Sequence, residues 1–143
     1  MATIILALLE HSEQADMVKD CLSQAGHDVH AVDTFSKAKL SLKTGSFDLI
    51  ISDAHLENGG SVFDFLRWTK SQPHLKSIPF VLFSLEPTGI AKYLSDGVRT
   101  TARLFGAARY ITMDKFDADI LHNTIAELLP DADQTAPPGT RIK

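Results

Sequence analysis

FDLIISDAH, residues 47–55, decides the fold. Phe47, Leu49, Ile50 and Ile51 form an apolar run that leads to Ser52 and then to Asp53. Apolar runs this continuous suit strands covered on both faces, as in a parallel sheet. A carboxylate at the end of such a run is costly to desolvate unless something solvates or pairs it. The position of Asp53 therefore asks for a chemical explanation.

Four similar runs lie on either side: IILALL (4–9), HDVHAV (27–32), IPFVLFS (78–84) and ARYITM (108–113). Their spacing leaves room for a helix between each pair. Ser12 reads as the cap of a first helix carrying Ala15, Val18, Leu22 and Ala25, stopped at Gly26. Thr34 caps a second, with Ala38, Leu40 and Leu42, ended by Gly45. Gly59-Gly60-Ser61 opens a third through Phe63, Leu66 and Trp68, which stops before Pro73. Between Ser84 and Gly106 the chain reads as a loop and then a helix broken near Gly97. A last helix runs from about Asp117 through Ile120, Ile125 and Leu129 to Pro130.

Five strands alternating with helices specify an α/β domain, a doubly wound five-stranded parallel sheet with helices on both faces. The domain is expected over residues 1–130, with 131–143 (DADQTAPPGTRIK) as a flexible tail or linker stub. The chain's 143 residues fit one core. A net charge of −4 and scattered lysines and arginines give no electrostatic footprint for nucleic acid. The apolar N-terminus is too short for a membrane span and lacks a signal-peptide pattern, so a cytoplasmic protein is expected. The single cysteine, Cys21, excludes an internal disulfide and reads as a small core residue.

In doubly wound sheets the working site lies beyond the carboxyl ends of the strands. Glu10 follows strand one, Asp53 ends strand three, Ser84 ends strand four, and Lys115 lies just past strand five. Two neighbouring carboxylates invite a divalent cation, and magnesium takes a few carboxylate or carbonyl oxygens while keeping several waters. A metal there would neutralise an incoming phosphoryl group. A serine hydroxyl and a lysine amine suit the phosphoryl oxygens. Blander readings stand beside these. Glu10 also suits a helix entry, Ser84 a strand end that satisfies backbone groups, and Lys115 a solvated helix start.

Over residues 3 to about 130 the sequence resembles the receiver domain of two-component response regulators. The resemblance rests on FDLIISD, on FDFLRWTKSQPHLKSIPFVLFS and on GAARYI. It implies a (βα)5 flavodoxin-like fold in which Asp53 accepts a phosphoryl group from a histidine kinase or phosphotransfer protein. Mg²⁺ would be held by Glu10, Asp53 and the backbone carbonyl of His55. Ser84 falls at the switch hydroxyl and Tyr110 at the switch aromatic, whose ring moves inward once the hydroxyl is drawn to the phosphate. A downstream protein partner would use the strand-four, helix-four, strand-five face, and pairing of two copies through the fourth and fifth elements stays open. Such a protein is not an enzyme beyond its own phosphorylation and dephosphorylation.

The sequence departs from that pattern at definite places. The usual pair of acids after strand one reads Leu9-Glu10, and the usual lysine after strand five aligns with Met113. Lys115, two residues on, reaches the site only if the loop is rebuilt. Glu57 replaces a usual proline. Losing a carboxylate should weaken magnesium, and losing a phosphate contact removes roughly 1.5–3 kcal/mol. These changes motivate an alternative, a phosphorylation-independent module of receiver shape. A flavin- or nucleotide-binding enzyme on the same fold is a third reading, but LLEHSEQA is a poor phosphate cradle.

Overall fold

A computed structural model describes residues 3–54, 62–85 and 95–129. Five strands form one parallel sheet: β1 (Ile4–Leu8), β2 (Asp28–Val32), β3 (Leu49–Asp53), β4 (Phe80–Leu85) and β5 (Arg109–Met113). Their order across the sheet is β2-β1-β3-β4-β5. Five helices are described: α1 (Ser12–Gln24), α2 (Phe35–Thr44), α3 (Val62–Ser71), α4 (Ser95–Leu104) and α5 (Ala118–Leu128). This is the doubly wound arrangement expected from the alternating runs.

Strand alternation sends side chains to two separate cores. Ile5, Ala7, Ile51, Phe83 and Met113 pack with Val18 and Leu22 of α1 and with Leu121 and Ile125 of α5. Leu6, Leu8, Ile50, Leu82 and Tyr110 pack with α2, α3 and α4. The second core is aromatic. Phe65 lies 5.5 Å from Phe35, 5.7 Å from Phe80 and 6.1 Å from Trp68, ring centre to ring centre. Each such pair contributes about 0.5–1.5 kcal/mol beyond the area it buries. Every residue of β3 and β4 is buried. The edge strand β2 instead exposes Asp28, His30 and Ala31, because an edge has one neighbour and less helical cover.

Local chemistry sets the helix ends. The Thr34 hydroxyl accepts a bond from the Lys37 N–H at 3.1 Å, and Asp117 Oδ1 accepts from the Ile120 N–H at 3.1 Å; both satisfy orphan first-turn donors. Gly26 and Gly106, with φ of 97° and 103°, close α1 and α4. In each case two successive N–H groups turn back onto the last turn. Gly26 donates to the Ser23 carbonyl and His27 to Leu22; Gly106 donates to Arg103 and Ala107 to Ala102. That is the Schellman closure, which requires a left-handed residue.

Several sequence expectations change. Ser12 is the first residue of α1 rather than its cap; His11 caps it by backbone conformation, with no side-chain bond. Helix α4 runs through Gly97 without a break, since glycine weakens a helix without interrupting its hydrogen bonds. Leu40 and Ile120 face solvent, at 62% and 49% exposure, because neighbours on their helices already fill the core stripe. Gly59-Gly60-Ser61, Pro130 and the expected tail 131–143 lie outside the described residues.

Candidate functional site

Strand order places the site. The neighbours of β1 are β2 and β3, so the chains leaving β1 and β3 diverge and open a crevice between them. Leu8 pairs in register with Ser52, which puts the two strand ends level. Glu10 leaves β1 at that lip, and Asp53 is the last residue of β3. The topology thus assembles two acids that lie 43 positions apart in sequence. Asp53 is buried, at 6% exposure, and Glu10 is half-buried.

Ser84 sits one residue beyond Phe83, the register partner of Asp53, and is 2% exposed. Its own register partner is Thr112, and Leu82 pairs with Tyr110. Alternation therefore puts Ser84 and Tyr110 on one face of the sheet, toward α4. The Tyr110 ring is turned inward, at 8% exposure. Burial pushes its phenol above the ordinary tyrosine range; the Arg99 charge and the Ser84 hydroxyl pull it down, and the Asp53 charge pushes it up. The Tyr110 phenol thus lies within electrostatic reach of both Ser84 and Asp53. The Tyr110 hydroxyl is nonetheless buried without a hydrogen-bond partner among the described residues. Ser84 is near enough to favour the phenolate yet makes no bond of acceptable geometry with it, and we take the bond as unformed.

Arg99, from α4, was not legible as a site residue. Its guanidinium lies 5.1 Å from the centre of the Tyr110 ring, and its Nη1 donates to the Tyr110 carbonyl at 3.1 Å. One side chain thus grips both ring and backbone of the aromatic. No spacing rule links residues 99 and 110, because the contact exists only once α4 packs beside β5.

The two departures from the resembled pattern are both buried. Leu9, where an acid was expected, is 2% exposed, and Met113, where a lysine was expected, is 5% exposed. Both join the core under α1 and α5. The Met113 sulfur has also taken a structural role, accepting from the Asp117 N–H at 3.3 Å at the entry to α5. Lys115 is exposed and makes no hydrogen bond or ion pair among the described residues. His55 lies outside them. Cys21 is half-buried, with its thiol donating to the Ala118 carbonyl at 3.4 Å; burial and the nearby Asp119 push its pKa up, away from reactivity.

Among the described residues no three histidine, cysteine, aspartate or glutamate side chains gather as a metal site. The donors at the crevice are the two acids, and a hard cation that keeps most of its waters fits such a sparse set. No helix among the described residues is long and apolar enough to cross a membrane.

No protein-family model matches the sequence, and no curated protein matches it. Solved structures do. The signal receiver domain of a signal transduction histidine kinase from Syntrophus aciditrophicus is 25% identical, with a TM-score of 0.75 over 96% of this chain and 97% of that one. The chemotaxis response regulator CheY4 of Vibrio cholerae is 22% identical, with a TM-score of 0.76 over 90% of this chain and all (100%) of that one. The receiver domain of a sensor histidine kinase from Pseudomonas aeruginosa, described with a magnesium ion coordinated in its active-site cleft, is 18% identical, with a TM-score of 0.75 over 92% of this chain and 100% of that one. Strand order, helix placement and these likenesses agree that this chain has the fold of a response-regulator receiver domain.

Proposed function

We propose that the chain is a receiver in two-component signalling and that Asp53 accepts a phosphoryl group from a histidine kinase or phosphotransfer protein. A carboxylate oxygen of Asp53 forms the new bond to phosphorus. The P–N bond to the donor histidine breaks, and its electron pair returns to the imidazole. Mg²⁺, held by Glu10, Asp53 and the His55 carbonyl, would supply charge neutralisation for that transfer. The Ser84 hydroxyl would donate to a phosphoryl oxygen, and Tyr110 would read that change on the face formed by β4, α4 and β5, where a downstream protein would bind. The observation that carries the reading is the buried Asp53 at the end of β3, one register step from the buried Ser84, with Tyr110 turned inward on the Ser84 face and its hydroxyl without a partner among the described residues.

Intact-mass analysis after incubation with acetyl phosphate or phosphoramidate and Mg²⁺ tests it. One phosphoryl adduct is expected on the wild type and none on Asp53→Asn. An unmodified wild type, under conditions that label an ordinary receiver, overturns phosphorylation.

A second reading has its own support: a phosphorylation-independent module of receiver shape. Burial of Leu9 and Met113 in one apolar core favours it, because neither position offers a charge to a metal or a phosphoryl group. In that case Asp53→Asn leaves partner binding and cellular output unchanged.

A further inference from the structure

The sheet edge opposite the acids carries concentrated positive charge. A cavity of about 340 Å³ lies between α4 and β5, lined by Arg99, Arg103 and Arg109, with Tyr110 among its walls. The chain has five arginines, at 67, 99, 103, 109 and 141, so three of the five meet here on a protein of net charge −4. Their existing commitments are light. The Arg103 side chain makes no hydrogen bond or ion pair among the described residues. Arg109 donates to its neighbour's carbonyl, that of Ala108, at 2.9 Å. Its ion pair with Glu127 is loose, at 3.7 Å between half-exposed side chains, and an exposed pair of this kind is worth little and is readily exchanged. Arg99 is held by Tyr110 through one nitrogen and the ring face, which leaves further guanidinium donors for a ligand.

We propose that this cleft docks an acidic segment of a partner protein, whose carboxylates engage Arg99, Arg103 and Arg109 in turn. Guanidinium forks match carboxylates in geometry and charge. All three arginines are exposed, two on one helix and one on the edge strand. A small anion bound there would keep most of its water, whereas several carboxylates carried on one chain engage the row together at little added entropy. The inference names the partner chemistry of the face assigned above to a downstream protein. It rests on that reading of the face and does not require phosphorylation of Asp53. Arg99 is the link between cleft and switch, since a carboxylate that draws its guanidinium also draws on the group gripping Tyr110.

The test is fluorescence anisotropy of a labelled oligoglutamate peptide titrated with the full chain, without Mg²⁺ or a phosphodonor. Omitting the phosphodonor makes failure here distinct from failure to phosphorylate Asp53. Binding is expected, weakened at least tenfold by Arg103→Glu and by Arg109→Glu, weakened by added salt, and unchanged by Lys19→Glu on α1. Circular dichroism verifies that each variant is folded, and Arg103→Gln, which removes charge without reversing it, should fall between wild type and Arg103→Glu. No binding, or equal weakening by Lys19→Glu, overturns the proposal. So does competition by inorganic phosphate or free glutamate at concentrations matching the peptide's carboxylates, which would make the cleft a small-anion site.

Discussion

Tyr110→Phe offers the sharpest test of the site's geometry, because it predicts a gain where most buried substitutions lose. The change deletes one oxygen and keeps the ring, its packing in the core under α4, and the Arg99 guanidinium 5.1 Å from its centre. The deleted hydroxyl is buried with no partner among the described residues, and an unsatisfied buried polar group costs about 1–3 kcal/mol. Its contact with Ser84 lacks bond geometry and offsets only part of that. The variant should therefore be more stable by about 1 kcal/mol, which for a domain of this size raises Tm by roughly 2–6 °C. The phenol adds a pH signature. Its folded pKa is raised, chiefly by burial, above the unfolded value. At pH above the unfolded pKa the unfolded chain has lost that proton and the folded chain has kept it, so stability falls as pH rises from about 10 toward the folded pKa. Tyr110→Phe should remove this alkaline decline and leave neutral and acidic stability with the same slope against pH. Urea and thermal unfolding followed by circular dichroism, at neutral and alkaline pH, measure both effects. A loss of 1 kcal/mol or more at neutral pH would refute the reasoning, because it would mean the hydroxyl is hydrogen-bonded in solution.

Further substitutions probe the apolar surroundings of the site and how its helices close. Leu9→Asp places a carboxylate at a position with 2% exposure and should cost about 3–5 kcal/mol; a loss below about 1 kcal/mol in urea unfolding would mean that water reaches this position from the crevice. Gly106→Ala and Gly26→Ala force a side chain into φ of 103° and 97° and should each lose about 1–2 kcal/mol, Gly106 the more because the new methyl group meets Lys70 Cγ at 3.2 Å, while Gly45→Ala, at φ −134°, should lose nothing; equal losses at all three positions, measured by thermal unfolding, would contradict the helix closures described.

Most of the fold could be read from the chain because its signals are local. Five apolar runs with helical spacing between them dictate strand–helix alternation, and right-handed crossovers leave few ways to assemble it. FDLIISD and the threonine cap at Thr34 are legible one residue at a time. Helix ends and faces were less so. Ser12, Leu40 and Ile120 fit a periodic pattern, but the neighbouring elements decide which apolar residues on a helix find the core.

By itself the sequence determined the alternation, the acids and the hydroxyl at the strand ends, and the resemblance that links them. Tertiary structure alone decided what those groups meet. The order β2-β1-β3-β4-β5 opens the crevice between the first and third strands, buries Leu9 and Met113 in one core, and sets Arg99 across Tyr110. The reason is range. Backbone preference and hydrophobic periodicity act over a few residues, while a site in a parallel sheet is made from strand ends tens of residues apart. Their charges and burial exist only after the sheet has closed.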